Sequence, residues 1–237
     1  MHNNPLQHIP PKRWQTLKKT HFKMKYVLIL VLITSLFGCK SKPDRQYNRS
    51  DVDNLANEYL TKHFNPVDSK SVSKIIKELN QPKKYPCDSL TKLSAIYWQI
   101  RMSVRINDFQ KGIDYMDEGI TYCENNNHFW KWKFRLWKCI LIDKTENDSI
   151  SNRYYLDLIN RFESDTGFFT PLNVLDFKLK PMLFMGRKEE ALNELKKYEE
   201  DLKHGLYEQF RQFFTGFDKQ KNDLMFLEPE LFKGKII

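Results

Sequence analysis

Cysteine and histidine carry much of catalysis and metal binding, and both are sparse here. The cysteines are Cys39, Cys87, Cys123 and Cys139, and their spacing lacks the close pairs of a zinc signature. Beyond residue 38 the histidines are His63, His128 and His204. None stands in a His-Glu-x-x-His pattern or beside a candidate nucleophile. There is no glycine-rich phosphate loop and no Gly-x-Ser-x-Gly elbow. Carboxylates abound, but Glu189-Glu190 and Glu199-Glu200-Asp201 fall at exposed helical positions and read as solvated faces. No catalytic residue, metal or cofactor is expected, so the chain does not read as an enzyme.

The densest chemistry lies in the run His128-Phe129-Trp130-Lys131-Trp132-Lys133-Phe134-Arg135-Leu136-Trp137-Lys138. As a strand it would alternate aromatic with basic; its helical neighbours decide for helix. A helix puts Phe129, Trp132, Leu136, Trp137 and Ile140 on a broad apolar face, with Lys131, Arg135 and Lys138 opposite. One reading is a partner surface of Trp130, Lys131, Lys133, Arg135 and Lys138, gripping an anionic protein, headgroup or glycan by charge and stacking. The other is a core helix whose long cations reach out to water. So wide an apolar face normally needs cover on both sides, which favours the core.

The elements around this run are helical. The chain has 237 residues, is 41% hydrophobic and 14% aromatic, and holds 8 Gly and 10 Pro, so it can bury a core and is poor in β-turn residues. Apolar spacing predicts helices over 51–63, 69–80, 88–105, 109–123, 128–143, 150–163, 171–185, 188–203 and 205–216. Asp88-Ser89 and Thr170-Pro171 are start signals; Asn125-Asn126-Asn127, Asp165-Thr166-Gly167 and Gly186 are stops. Pro181 should kink or split its helix. Lys144 to Ser149 reads as a longer link. Short connections make neighbouring helices antiparallel, and the class is all-α.

Two segments resemble tetratricopeptide repeats. Met185-Gly186-Arg187-Lys188-Glu189-Glu190-Ala191-Leu192, followed by Leu195 and Tyr198, looks like the turn and second helix of such a repeat. Asn107-Asp108-Phe109-Gln110-Lys111-Gly112-Ile113, followed by Met116 and Gly119-Ile120, has the same spacing. Small residues (Gly112, Gly119, Ala191) mark close helix crossings. The resemblance covers residues 88–203, out of strict repeat phase, and implies antiparallel pairs stacked as a short α-solenoid.

Upstream, Met24-Lys25-Tyr26 leads into the apolar run 27–37 and then Gly38-Cys39. A basic start, a short apolar run and a small residue before the cut make a signal peptide. Leu36-Phe37-Gly38-Cys39 resembles the lipobox of bacterial lipoproteins. That resemblance implies cleavage before Cys39 and lipid on its thiol, a covalent anchor to a bacterial membrane. By the same resemblance, Lys40 in place of an Asp directly after the cysteine implies the outer membrane, facing the periplasm. Residues 1–23 fit poorly ahead of the signal, and a start at Met24 would explain them. The organisation expected is therefore a leader over 1–38, a lipidated tether over 39–50, a helical-repeat domain over 51–216 and a capping tail over 217–237.

The formal net charge is +9, but residues 1–38 hold six basic and no acidic residues. From Cys39 onward 33 basic face 30 acidic side chains, which argues against a nucleic-acid binder. With Cys39 lipidated, three cysteines remain in an oxidising compartment. Cys123 and Cys139 could pair across neighbouring helices, or all three could be buried thiols. Phe210, Phe213, Phe214 and Phe217 can line one helix face, with Met225 to Phe232 following as a cap or as a segment occupying a groove. The function expected is an envelope scaffold or adaptor that binds another protein. The alternatives are a protective lipoprotein neutralising a periplasmic toxin or hydrolase, and an envelope enzyme or glycan binder.

Overall fold

The computed structural model describes residues 47–62, 69–84, 87–125, 128–165, 167 and 170–219. The leader, Leu36, Gly38 and Cys39, most of the tether, His63 and the tail beyond Lys219 lie outside them. All regular structure among the described residues is helical, an all-α helical-repeat fold. In chain order the elements are α1 (Arg49–Lys62), α2 (Ser69–Glu78), the short α3 (Gln81–Lys84), α4 (Ser89–Arg105), α5 (Phe109–Cys123), α6 (His128–Thr145) and α7 (Asp148–Ser164). Then follow α8 (Pro171–Val174), a π-helical segment (Leu175–Leu179), α9 (Lys180–Phe184), α10 (Lys188–Lys196) and α11 (His204–Gly216).

From α4 to α7 each helix packs on the next, and α9, α10 and α11 continue the row. Two apolar clusters meet on α4. Leu93, Ile96, Ile100 and Val104 face the main core, while Ala95, Trp98 and Met102 face a smaller one formed with α1 and α2. A helix apolar on two faces must be covered on both, which explains why α1 and α2 fold back onto it. Asp53 of α1 fixes that docking by accepting hydrogen bonds from Ser94 and, at 2.9 Å, from Trp98 Nε1.

The turns of the two repeat-like segments share one backbone. Asn107 (φ 58°) and Gly186 (φ 74°) both adopt the left-handed conformation. In the first, Asn107 N–H donates to Val104 and Asp108 N–H to Ser103; in the second, Gly186 donates to Leu183 and Arg187 to Met182. Both close as Schellman turns, which satisfy the last helical carbonyls and reverse the chain.

Two expectations are corrected and a third takes a particular form. The link over 144–149 contracts to Glu146-Asn147, because Glu146 N–H still bonds Ile142 O and the Asn147 side chain caps Ile150 N–H at 3.1 Å. Asn147→Ala should therefore lower stability by about 1 kcal/mol in a thermal melt. The helix expected over 188–203 ends at Lys196 and tightens into i→i+3 bonds at Lys197, Tyr198 and Glu199. Glu199-Glu200-Asp201 would place three negative charges at the negative end of the dipole. The split expected at Pro181 takes the form of a π segment: it precedes the proline, which stands in the first turn of α9, and Lys180 N–H reaches Leu175 O. The wider turn reroutes the bonding that a proline without an N–H would break.

Candidate functional site

Helix α6 organises the site, and its residues divide among several environments. Trp132, Phe134 and Trp137 are fully buried. Trp130, Phe134 and Trp137 form one stripe whose rings touch each other, and both Trp130 (5.4 Å) and Trp137 (5.9 Å) reach Tyr97 of α4. Lys133 lies over the Trp137 ring at 6.0 Å, and Arg101 of α4 lies over Tyr97 and Trp98. A second stripe, Lys131, Arg135 and Lys138, turns toward α5 and α7.

The five-residue partner surface expected from sequence is thus broken up. Lys131 and Lys133 are only 7% and 8% exposed, so they do not form an open basic face. Lys131 meets Asp165 at 3.5 Å, and Asp165 also accepts from Trp132 Nε1 at 3.2 Å. Trp130 is half-buried in the aromatic stripe. The cause is steric: α6 carries too many large apolar residues to bury on one side, so α5, α7 and the π segment pack on it and Tyr97 of α4 reaches its Trp130–Trp137 stripe.

Arg135 and Lys138 keep a place at the surface, in a groove across α5, α6 and α7. Asp117 and Ile120 line it from α5, Cys139 from α6 beside the two cations, and Tyr154, Asp157, Leu158 and Arg161 from α7, around a volume of about 250 Å³. It continues along α7 past Ile150 and Arg153 into an open hollow of about 520 Å³. Lys138 Nζ contacts both Asp117 oxygens at 2.6 and 2.7 Å, and Arg161 pairs with Asp157 at 2.7 Å. Arg135 stacks over Trp132 at 4.7 Å and meets Glu124 at 3.9 Å. Burial lowers its guanidinium below the usual value, against the raising effect of Glu124. The hydrogen bond that Arg161 donates to Asp157 raises the Arg161 guanidinium. Four cations (Arg135, Lys138, Arg153, Arg161) line the groove against two carboxylates (Asp117, Asp157) among the described residues.

The α7 contribution was not among the residues singled out from sequence. Arg153, Tyr154, Asp157 and Arg161 recur at three- and four-residue spacing, which puts them on one stripe of α7. That stripe was the available signal, but only the packing of α7 beside α6 gives it meaning.

The small-residue positions are buried as expected, with a shift in emphasis. A Cβ on Gly112 would lie 3.0 Å from Leu141 Cδ1 of α6 and 3.6 Å from Val104 of α4. On Gly119 it would fall 2.6 Å from the Phe134 ring and 3.2 Å from Ile96. The tightest crossing is therefore α5 against α6, between pairs, and not within one. Ala191 is fully buried.

Cys123 and Cys139 are free thiols in the structure, so the pairing considered from sequence is not formed. Both are buried, and burial pushes Cys123 up to about 11 and Cys139 further still, so neither supplies a thiolate near neutrality. Cys87, expected among the buried thiols, is only half-buried and donates to Pro82 O at 3.0 Å. Glu189, Glu190, Glu199, Glu200 and Asp201 are exposed. Among the described residues no group of three His, Cys, Asp or Glu is placed to hold a metal ion, and no helix is long and apolar enough to cross a membrane. Comparisons with protein-family models, curated proteins and solved structures find no match to this chain.

Proposed function

We propose that this chain is a lipid-anchored helical-repeat scaffold of the bacterial cell envelope that docks a protein partner in the α5–α7 groove. The supporting observation is the groove itself: one concave surface built by three successive helices, with Ile120, Tyr154 and Leu158 between arginines and a lysine. Such a lining suits an extended or helical segment carrying acidic and apolar side chains, held by charge at the rim and by burial at the centre. Anchoring through Cys39 would concentrate the groove beside partners at the same membrane.

The test is a crosslinking pull-down from native membranes. Arg153→Glu with Arg161→Glu alters two exposed positions and should leave the fold intact. Partner recovery should fall at least tenfold relative to wild type, while Glu189→Lys, away from the groove, should recover the partner normally. Equal recovery from all three proteins would remove the groove from the binding surface. The identity of the partner would separate an adaptor, which should recover a membrane assembly, from a protective inhibitor, which should recover a toxin or hydrolase.

The anchor is tested separately. Cys39→Ser should leave an uncleaved precursor that takes up no labelled fatty acid and no longer fractionates with wild-type protein. A variant that is processed and labelled normally would refute lipidation at Cys39.

A further inference from the structure

Among the described residues five large apolar side chains stand exposed, and three of them share one position. Leu90 (56%), Phe129 (44%) and Leu172 (57%) are each the second residue of a helical run, opened by α4, α6 and α8. The packing puts all three at one end of the stack. Gly119 of α5 faces Ile96 and Phe134, whereas Gly112 faces Val104 and Leu141, so α4 and α6 run in the same direction. Asp165, just past α7, meets Trp132 near the start of α6, so α7 finishes at that end. Phe177 meets Phe162 and Phe184 meets Tyr155, so the run from α8 to α9 is antiparallel to α7 and begins there too. We infer that this end of the stack rests on a lipid bilayer, with Leu90, Phe129 and Leu172 entering its headgroup boundary. The inference builds on the anchor proposed at Cys39.

Area favours a bilayer over a second protein as the cover. With roughly 150–250 Å² for a whole large side chain, the exposed parts of these three offer about 300 Å². A stable interface between proteins takes about 800 Å² from each partner. A bilayer demands less, because the anchor already holds the domain at the surface, where even weak insertion is favoured by high local concentration. Charged groups of both signs flank the three side chains, Lys92 and Arg161 with Asp88, Glu124 and Glu163. Apolar insertion, and not net charge, therefore supplies the attraction.

Reach permits this placement. Asp53 of α1 accepts a hydrogen bond from Ser94, one turn beyond Leu90, and reciprocal bonds between Asn48 and Asp51 start α1 just before it. Asn48 therefore lies within about 20 Å of Leu90. The nine residue steps from Cys39 to Asn48 can span up to about 30 Å. The α5–α7 groove extends along α7 toward Ile150, away from this end, so a partner and a membrane can be held together.

The experiment uses the chain from Lys40 with a histidine tag in place of Cys39, held on phosphatidylethanolamine–phosphatidylglycerol vesicles by nickel-chelating lipid. Photoreactive benzoylphenylalanine replaces Leu90, Phe129 or Leu172, one position at a time. Irradiation should give protein–lipid adducts at each position at least tenfold above those from the same crosslinker at Glu146, an exposed turn residue at the opposite end. Leu90→Asp with Leu172→Asp should cut the adduct at position 129 at least tenfold with the helical circular dichroism unchanged. Raised salt should leave the adducts unaltered. Similar yields at Glu146, adducts only between protein chains, a yield at 129 indifferent to the two aspartates, or loss of adducts in salt would each overturn the inference. The tag stands in for lipid on Cys39, so a failed edge and a failed anchor are read separately, the anchor by the Cys39→Ser labelling.

Discussion

Phe134→Ala should destabilise the domain by about 3–5 kcal/mol, the loss expected when a buried aromatic leaves a cavity that its neighbours cannot fill. Phe134 is fully buried, touches Trp130 and Trp137, and lies against the backbone at Gly119. Its partner at that crossing supplies a sharper test. In the wild-type background Gly119→Ala should be destabilising, because the added methyl would sit 2.6 Å from the Phe134 ring. The overpacking penalty of about 1–3 kcal/mol exceeds the gain of about 1 kcal/mol from replacing a helical glycine. In the Phe134→Ala background the same change should cost far less, since the ring is gone and only the 3.2 Å contact with Ile96 opposes the propensity gain. A double-mutant cycle by denaturant unfolding checks this relief of the penalty. Equal effects in both backgrounds would show that the α5–α6 crossing is not set by this contact.

The second large effect concerns Lys178, which ties three elements together. Its Nζ lies 2.6 Å from Glu163 of α7 and 2.9 Å from Glu194 of α10, and Glu194 also receives Lys197. Burial alone would lower Lys178, but the hydrogen bonds it donates to both glutamates outweigh it and hold it above its ordinary 10.5. Burial alone would raise Glu194, but its bonds from Lys197 and Lys178 hold it below 4.5. Lys178→Met should cost about 2 kcal/mol near neutral pH, taking about 1.5–3 kcal/mol for a charge-assisted bond and discounting the open Glu163 end for solvent screening. The sign of the pH dependence follows from the two shifts. The raised lysine contributes fully below its ordinary value and loses that contribution as pH rises through the folded one. The lowered glutamate contributes fully above its ordinary value and loses it as pH falls through the folded one. The deficit of Lys178→Met relative to wild type should therefore be largest between those ranges and shrink in acid. Urea unfolding of both proteins at neutral pH and near pH 3 measures it; an unchanged deficit would show that the lysine acts by packing alone.

Much of the architecture was legible because it rests on short-range rules. Apolar residues at three- and four-residue spacing define helices locally, and Asp88, Thr170 and Gly186 mark their ends by capping chemistry that involves only a few neighbouring residues. The bounds of α4 and α5 follow almost residue by residue. Gly112 and Gly119 announced close crossings because a Cβ there would press on α6, and Ala191 is fully buried. Where local rules compete, the reading missed. Asn147 could have been one residue of a loop or a cap, and the continued bonding of Glu146 decided for the cap. The π segment before Pro181 depends on how a chain reroutes a missing donor, which no spacing pattern records.

The candidate site was less legible, for a physical reason. On the helix α6, periodicity separates residues by angle, but it does not say which neighbouring helix each angle meets. Lys131, Lys133, Arg135 and Lys138 are similar in sequence, yet packing buries the first two and leaves the other two in the groove. Arg153, Tyr154 and Arg161 belong to that groove only because α7 lies beside α6. Sequence alone determined the helical class, most helix bounds and the places where helices must approach closely, since these depend on backbone geometry and side-chain size. Only tertiary structure decided which cations reach solvent and which residues share one surface, because those depend on the rotation and neighbours of each helix in the stack.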